Sequence, residues 1–211
     1  MTTNFRIRDA TTSEDDLNFL VAAFDSTLPH LATIGSGAQW GSIPFSQREG
    51  TYEQELKDLR AAEAYRLTRE GPEFRILIAE AKDGNDKYIP VGWTTLRGEY
   101  LSPYLLEASA LDHVTKTAKN YLFMYVLVTD FRAGALRKGV GAALVQYAKA
   151  WAEELGKDVF YVDCWGGNDG KLIKFYEAQG FSRAGEFFKP RKDGTIWHGV
   201  FLSMNLKKGK Q

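Results

Sequence analysis

The octapeptide Arg137-Lys138-Gly139-Val140-Gly141-Ala142-Ala143-Leu144 carries the strongest chemical signal in the chain. Two glycines two positions apart allow a tight backbone turn and leave amide groups uncovered. Val140, Leu144, Tyr147, Ala148, Trp151 and Leu155 then recur at helical spacing. The first N–H groups of a helix have no partner within it and lie at the positive end of its dipole. A glycine turn feeding a helix is therefore an anion site suited to a pyrophosphate. The amides of Arg137, Lys138, Gly139, Val140, Gly141 and Ala142 would supply the cradle, and the Arg137 and Lys138 side chains would add charge. Two familiar phosphate motifs do not fit. A P-loop places its lysine after the last glycine, whereas Lys138 precedes Gly139. A dinucleotide fingerprint needs a third glycine where Leu144 stands, and it usually opens the first strand–helix–strand unit.

Other residue types suit proton transfer or recognition. Asp163 falls near the C-terminal end of an apolar run, where burial would raise a carboxyl pKa. It is read as a general base, a contact to a substrate amine, or a member of a structural network. Glu80, near the end of an earlier strand, is its rival. Tyr176 shares helical spacing with Leu172 and Phe175, which by itself reads as core. Trp40 lies in a Gly- and Ser-rich loop, as a pocket wall or an aromatic plug. Cys164 has no His-plus-acid arrangement to make it a nucleophile. His30, His113 and His198 show no metal-ligand spacing.

The elements that must position these groups follow from periodicity. Phe5–Ala10 alternates as a strand. Thr12 and Ser13 open a helix that Pro29 is expected to end, and a second helix from Tyr52 closes at Gly71-Pro72. Phe74–Ala81 and Tyr88–Tyr100 flank KDGND as a hairpin. Residues 101–120 read as an insertion with a short helix. Tyr121–Val128 reads as a strand buried on both faces, and Val159–Trp165 as another. Asn168 is expected to open a helix that Gly180 stops. Two strands close the chain, near Phe181–Lys189 and Thr195–Asn205, joined by a turn at 190–194. The order is β-α-α-β-β-β-α-β-α-β-β. A strand–helix–strand unit at 121–164 predicts a right-handed parallel crossover, with antiparallel pairs on either side.

This order and two motifs resemble the GCN5-related N-acetyltransferases (GNAT superfamily). That family carries [QR]-x-x-G-x-[GA] after its fourth strand; here Leu136-Arg137-Lys138-Gly139-Val140-Gly141 matches at the glycines and departs at Leu136. The backbone cradle does not depend on that position. The family also often shows an Asn opening a helix and then F-Y-x-x-x-G-F, as in Asn168 and Phe175-Tyr176-Glu177-Ala178-Gln179-Gly180-Phe181. The motifs cover about residues 121–181, and the rest matches in element order.

The resemblance implies an α/β fold with a mixed sheet of about six or seven strands and helices on both faces. It implies acetyl-CoA as cosubstrate, lying where the strands at 121–128 and 159–165 diverge. Backbone groups of Val126, Leu127 and Val128 would bind pantetheine and the acetyl carbonyl, and an N–H there would steady the oxyanion. Asn168 would be a helix cap, a CoA contact, or both. Tyr176 would be the general acid, because a phenol (pKa about 10) can donate to a thiolate whose acid titrates near 8.5. Trp40 and Glu80 would face the acceptor.

Bulk composition bounds the rest. The 211 residues suit one domain over 1–206, followed by a basic tail at 207–211 expected to be disordered. Lys plus Arg number 27 and Asp plus Glu 27, so no global field draws nucleic acid or an anionic membrane. One cysteine permits no internal disulfide. No apolar run approaches the roughly 20 residues that span a bilayer, and the N-terminus has no signal-like apolar core. The expectation is a cytoplasmic enzyme, with a homodimer admissible, no metal and a small-molecule amine as partner. Two alternatives stand beside it: an NAD(P)-dependent oxidoreductase and a non-catalytic acyl-CoA-binding module.

Overall fold

A computed structural model describes residues 5–191 and 194–207. The strands are β1 (Arg6–Asp9), β2 (Phe74–Lys82), β3 (Tyr88–Gly98), β4 (Tyr121–Thr129), β5 (Val159–Trp165), β6 (Ser182–Pro190) and β7 (Ile196–Asn205). The helices are α1 (Glu14–Thr33), α2 (Thr51–Thr68), α3 (Pro103–Leu106), α4 (Asp112–Thr115), α5 (Val140–Glu154) and α6 (Lys171–Ala178). The seven strands form one sheet in the order β1-β2-β3-β4-β5-β7-β6. β4 and β5 pair in parallel, as the crossover pattern predicts, whereas β1–β2, β5–β7 and β6–β7 are antiparallel. The sheet is therefore mixed.

The chain forms two compact units. The first comprises Met1–Leu96 and Val126–Tyr147, the second Arg97–Tyr125 and Ala148–Gln211. In the first, α1 supplies Phe19, Leu20, Ala23 and Phe24, α2 supplies Leu59 and Ala62, and these bury against Ile76, Ile78, Trp93 and Val128. Each buried Leu, Ile, Val or Phe here contributes about 2 kcal/mol relative to exposure, and each Ala about 0.8. In the second, Leu101, Leu105 and Leu111 pack with Tyr121, Phe123, Tyr161, Phe187 and Phe201.

Local sequence explains most boundaries. Ser13 caps α1 by accepting from the Asp16 N–H, and Glu14, Asp15 and Asp16 complement the helix dipole. Pro29 does not end this helix; it lies inside it, and α1 runs on to Thr33. The proline forfeits one backbone hydrogen bond at about 3 kcal/mol, and the burial of Phe24 and Leu28 on the same helix offsets that loss. α2 stops at Arg69, in the left-handed conformation (φ 58°), two residues before Gly71. β4 is not buried throughout: Tyr125 is 39% exposed, and Val126 and Leu127 are half-buried. The expected helix start at Asn168 is also displaced. Asn168 sits in a 3-10 turn with φ 52°, and Gly170, at φ 66°, caps α6. Residues 101–120 hold two one-turn helices rather than one. Lys207 is tied to Asp158 by an ion pair of 3.1 Å. The remainder of the expected tail, 208–211, and positions 192–193 of the last turn lie outside the described residues. Among the described residues no helix is long and apolar enough to cross a membrane.

Candidate active site

The glycine turn is built as its composition requires. A 3-10 segment, Phe131–Arg137, leads through extended Lys138 to Gly139, whose φ of 86° belongs to the left-handed region. The Ala143 N–H donates to the Gly139 carbonyl at 3.0 Å, which fixes the start of α5. The amides of Val140, Gly141 and Ala142 therefore have no acceptor inside the helix. The Arg137 guanidinium lies 3.8 Å from the Phe131 ring centroid, and its Nε is buried without a hydrogen-bond partner. An unpaired buried guanidinium nitrogen on the residue three before a helix start whose first amides have no intrahelical acceptor fits a diphosphate, since charge-assisted hydrogen bonds would satisfy both. Leu144, where a dinucleotide fingerprint needs glycine, is fully buried in the core.

β4 changes character along its length. Its ladder with β5 runs from Tyr121↔Val159 to Met124↔Val162 and ends there. The expected cosubstrate-binding residues Val126, Leu127 and Val128 lie past that end. The Val126 carbonyl accepts the buried Thr94 hydroxyl at 2.6 Å. Asp130 donates its N–H to the Val91 carbonyl at 2.9 Å, and its carboxylate accepts from the Arg132 N–H and guanidinium. Gly92 has no room for a side chain, as a Cβ there would lie 2.8 Å from the Val128 oxygen.

Asp163 is the first β5 residue beyond the β4 ladder, while it still pairs with Phe201 of β7. Burial raises its carboxyl pKa to about 7; a hydrogen bond from the Tyr104 hydroxyl and the charge of Lys189 pull it down. Tyr104 donates to Asp163 Oδ2 at 3.1 Å. Tyr176, on α6, is 4% exposed and packs edge-on against Phe175 and Phe181. Burial first, then the Cys164 and Asp163 charges, push its phenol pKa well above 10. The phenol thus stays protonated at any working pH. Burial likewise pushes the Cys164 thiol up, which keeps it from acting as a nucleophile.

Other expected site residues are otherwise engaged. Both oxygens of the Glu80 carboxylate accept arginine donors, Arg6 Nε at 2.6 Å and Arg8 Nε at 2.9 Å, and Arg8 goes on to Asp16. The Trp40 ring packs against Phe24 and Phe45, with centroids at 5.2 and 5.7 Å. A cleft of about 510 Å³ opens nearby, walled by Leu28, Pro29, Ala32 and Pro44 with Asp25 and Ser42 as its polar groups. The Asp25 carboxylate is held by the Phe45 N–H and the Ser46 hydroxyl. Among the described residues no group of three His, Cys, Asp or Glu could hold a metal. Sequence reasoning missed Tyr104, Thr94, Lys189 and Gly92. Only Gly92 left a signal, a glycine inside a strand pattern; Tyr104 falls in a segment without periodicity.

The sequence model described as the acetyltransferase (GNAT) family matches residues 39–181. No curated protein matches the chain at a significant level. Among solved structures, an N-acetyltransferase from Staphylococcus aureus Mu50 is 17% identical, over 97% of this chain and 100% of its own, with a TM-score of 0.62. A ribosomal-protein-alanine N-acetyltransferase from Brucella melitensis is 17% identical, over 95% and 99%, with a TM-score of 0.62. The yncA protein of Salmonella typhimurium, solved with its cofactor acetyl-CoA, is 16% identical, over 98% and 96%, at 0.61. At these identities the structures show a shared fold, and the family match covers more than half of the sequence. The chain belongs to the acetyltransferase (GNAT) family.

Proposed function

We propose that this GNAT-family chain moves an acetyl group from acetyl-CoA to the primary amine of a small molecule, by direct attack in a ternary complex. The observation that carries the reading is the Arg137–Ala142 turn, with its left-handed Gly139, helix-start amides that have no acceptor within the helix, and unpaired Arg137 Nε. The Val140, Gly141 and Ala142 amides and the Arg137 side chain hold the pyrophosphate, with Lys138 adding charge at the rim. Backbone groups of Val126–Val128 orient the acyl end. Bound acetyl-CoA supplies an activated thioester carbonyl. Asp163, with its carboxyl raised to about 7, accepts the proton that the acceptor ammonium must lose. Tyr176 Oη returns a proton to the departing sulfur. Asn168 contacts the cosubstrate, and the loop bearing Trp40 contributes to the acceptor side. Glu80 is a weaker candidate for that side, because both its oxygens accept arginine donors. The balanced charge favours a small amine over a basic protein tail or nucleic acid. Residues 1–206 act as one catalytic domain in the cytoplasm.

The test is release of free CoA thiol in the presence of a panel of amino acids, polyamines and aminoglycoside-like amines. At least one amine should accelerate release, with intersecting rather than parallel double-reciprocal lines. Thiol release that no amine accelerates would overturn the reading and favour a binding module.

A further inference from the structure

A side-chain hydroxyl that donates to Asp163 comes from a segment in which sequence periodicity finds nothing. α3 is a single turn, yet its Tyr104 is fixed on several sides. Its ring stacks on Phe187 of β6 with centroids 5.7 Å apart and planes at 23°. The Lys189 ammonium lies 4.3 Å from the same ring centroid. Leu105, the next residue, is fully buried in the core of the second unit. A side chain held this way spends little conformational entropy in directing its hydroxyl, and that hydroxyl donates to Asp163 Oδ2 at 3.1 Å. The terminal torsion of an aspartate is otherwise broad, so this fixed donor, together with the backbone hydrogen bond of Asp163 itself, selects its orientation.

We propose that Tyr104 is a positioning residue for Asp163: its hydroxyl fixes the carboxylate's rotation and sets its proton affinity. This rests on the reading of Asp163 as the base that accepts the amine proton. Four titratable groups face Asp163 from the elements around it: Tyr104 of α3, Lys189 of β6, Tyr176 of α6 and neighbouring Cys164 of β5. β7 contributes apolar Phe201 opposite it. Burial opposes the charged carboxylate, while Tyr104 and Lys189 favour it. Burial also pushes the Tyr104 phenol above its ordinary range, so it remains a donor throughout the working range of pH. A donor to the charged form lowers a carboxyl pKa, and its removal raises it.

The experiment combines carboxyl-carbon NMR of Asp163, assigned with Asp163→Asn, and the pH profile of kcat/KM, in the wild type and Tyr104→Phe. Loss of the hydroxyl should move both the Asp163 titration and the acidic limb of the profile upward by about one pH unit, the size expected of a hydrogen bond to a charged group. Incorporating 3,5-difluorotyrosine at 104 keeps the ring's packing and strengthens the donor, and should move both downward. It also provides an answer if the phenylalanine variant does not fold. An NMR titration that does not move in either variant overturns the role of Tyr104, whatever the fate of Asp163. An NMR titration that moves while the acidic limb stays supports the hold of Tyr104 and instead removes Asp163 as the base.

Discussion

The α-carbon of Gly92 lies beneath the Val128 carbonyl so closely that a Cβ would sit 2.8 Å from its oxygen and 3.2 Å from Val140 Cγ1. β3, the far end of β4 and the first residue of α5 are thereby brought together inside one unit. A single methyl group would press on the strand end and the helix start that are proposed to bind the cosubstrate. Gly92→Ala should destabilise the protein by about 2 kcal/mol, the usual cost of overpacking. It should also weaken acetyl-CoA binding. Thermal melting and calorimetric titration read the two effects, and unchanged affinity in a folded variant would contradict the coupling.

The Asp163 carboxyl is raised to about 7 from an ordinary value of 3.8, chiefly by burial. A base must be ionised, so turnover should climb with pH through about 7 and then level. Stability should move the other way. Between about pH 4 and 7 the native state holds a proton that the unfolded chain has lost, so this group's contribution falls as pH rises through that window. Asp163→Asn removes the charge that burial opposes. The variant should lose turnover by about two orders of magnitude or more. At pH 8 it should gain stability, with a ceiling of about 4 kcal/mol for a three-unit shift, and at pH 4 it should gain little. Equal destabilisation at both pH values would mark a structural aspartate.

Tyr176 is buried among Phe175 and Phe181, and packing alone would account for its ring. Tyr176→Phe separates the hydroxyl from the ring. As the acid, it should cost about 10²–10⁴ in kcat with little change in acetyl-CoA affinity. Poor leaving groups should suffer most, so an oxygen-ester analogue of acetyl-CoA would show a larger deficit than the thioester. A variant with full turnover would leave Tyr176 a packing residue.

Glu80 is 5% exposed and answers two arginines, one of which also holds Asp16. Glu80→Gln should lower stability by about 1 kcal/mol, because Arg6 is half-exposed to water and Arg8 keeps Asp16 as its partner. Turnover of the folded variant, with acceptor saturating, should change less than threefold. A large kcat loss with an unchanged melting temperature would restore Glu80 as a rival to Asp163.

What the sequence reveals depends on the length over which a pattern repeats. β5 was legible to the residue, because Val159–Trp165 is an apolar run bounded by Gly156 and Gly166. α5 was equally legible, with its glycine turn before and Gly156 (φ 67°) after. α3 and α4 were not, since four residues contain a single turn and their positions are set by Leu105 and Leu111 in a distant core. Pro29 misled because local propensity lost to tertiary burial along α1. Asn168 misled because two left-handed residues, Asn168 and Asp169, and then Gly170 delay the helix by one turn. In the site, backbone-borne features were readable from glycines. The Tyr104–Asp163 contact spans 59 positions and leaves no local trace.

The Arg137–Ala142 turn is proposed to hold the diphosphate of acetyl-CoA. Thermal melting of the wild type and Arg137→Ala with acetyl-CoA, CoA, NAD and NADP, each at millimolar concentration, tests it most directly. Acetyl-CoA at about 100-fold over its Kd should stabilise the wild type by about 2.7 kcal/mol, roughly 5–10 °C for a chain of this size. CoA should act similarly, the nicotinamide nucleotides should not, and Arg137→Ala should lose most of the shift. No stabilisation of the wild type by acetyl-CoA, or an equal shift with NAD, would contradict CoA binding at this turn.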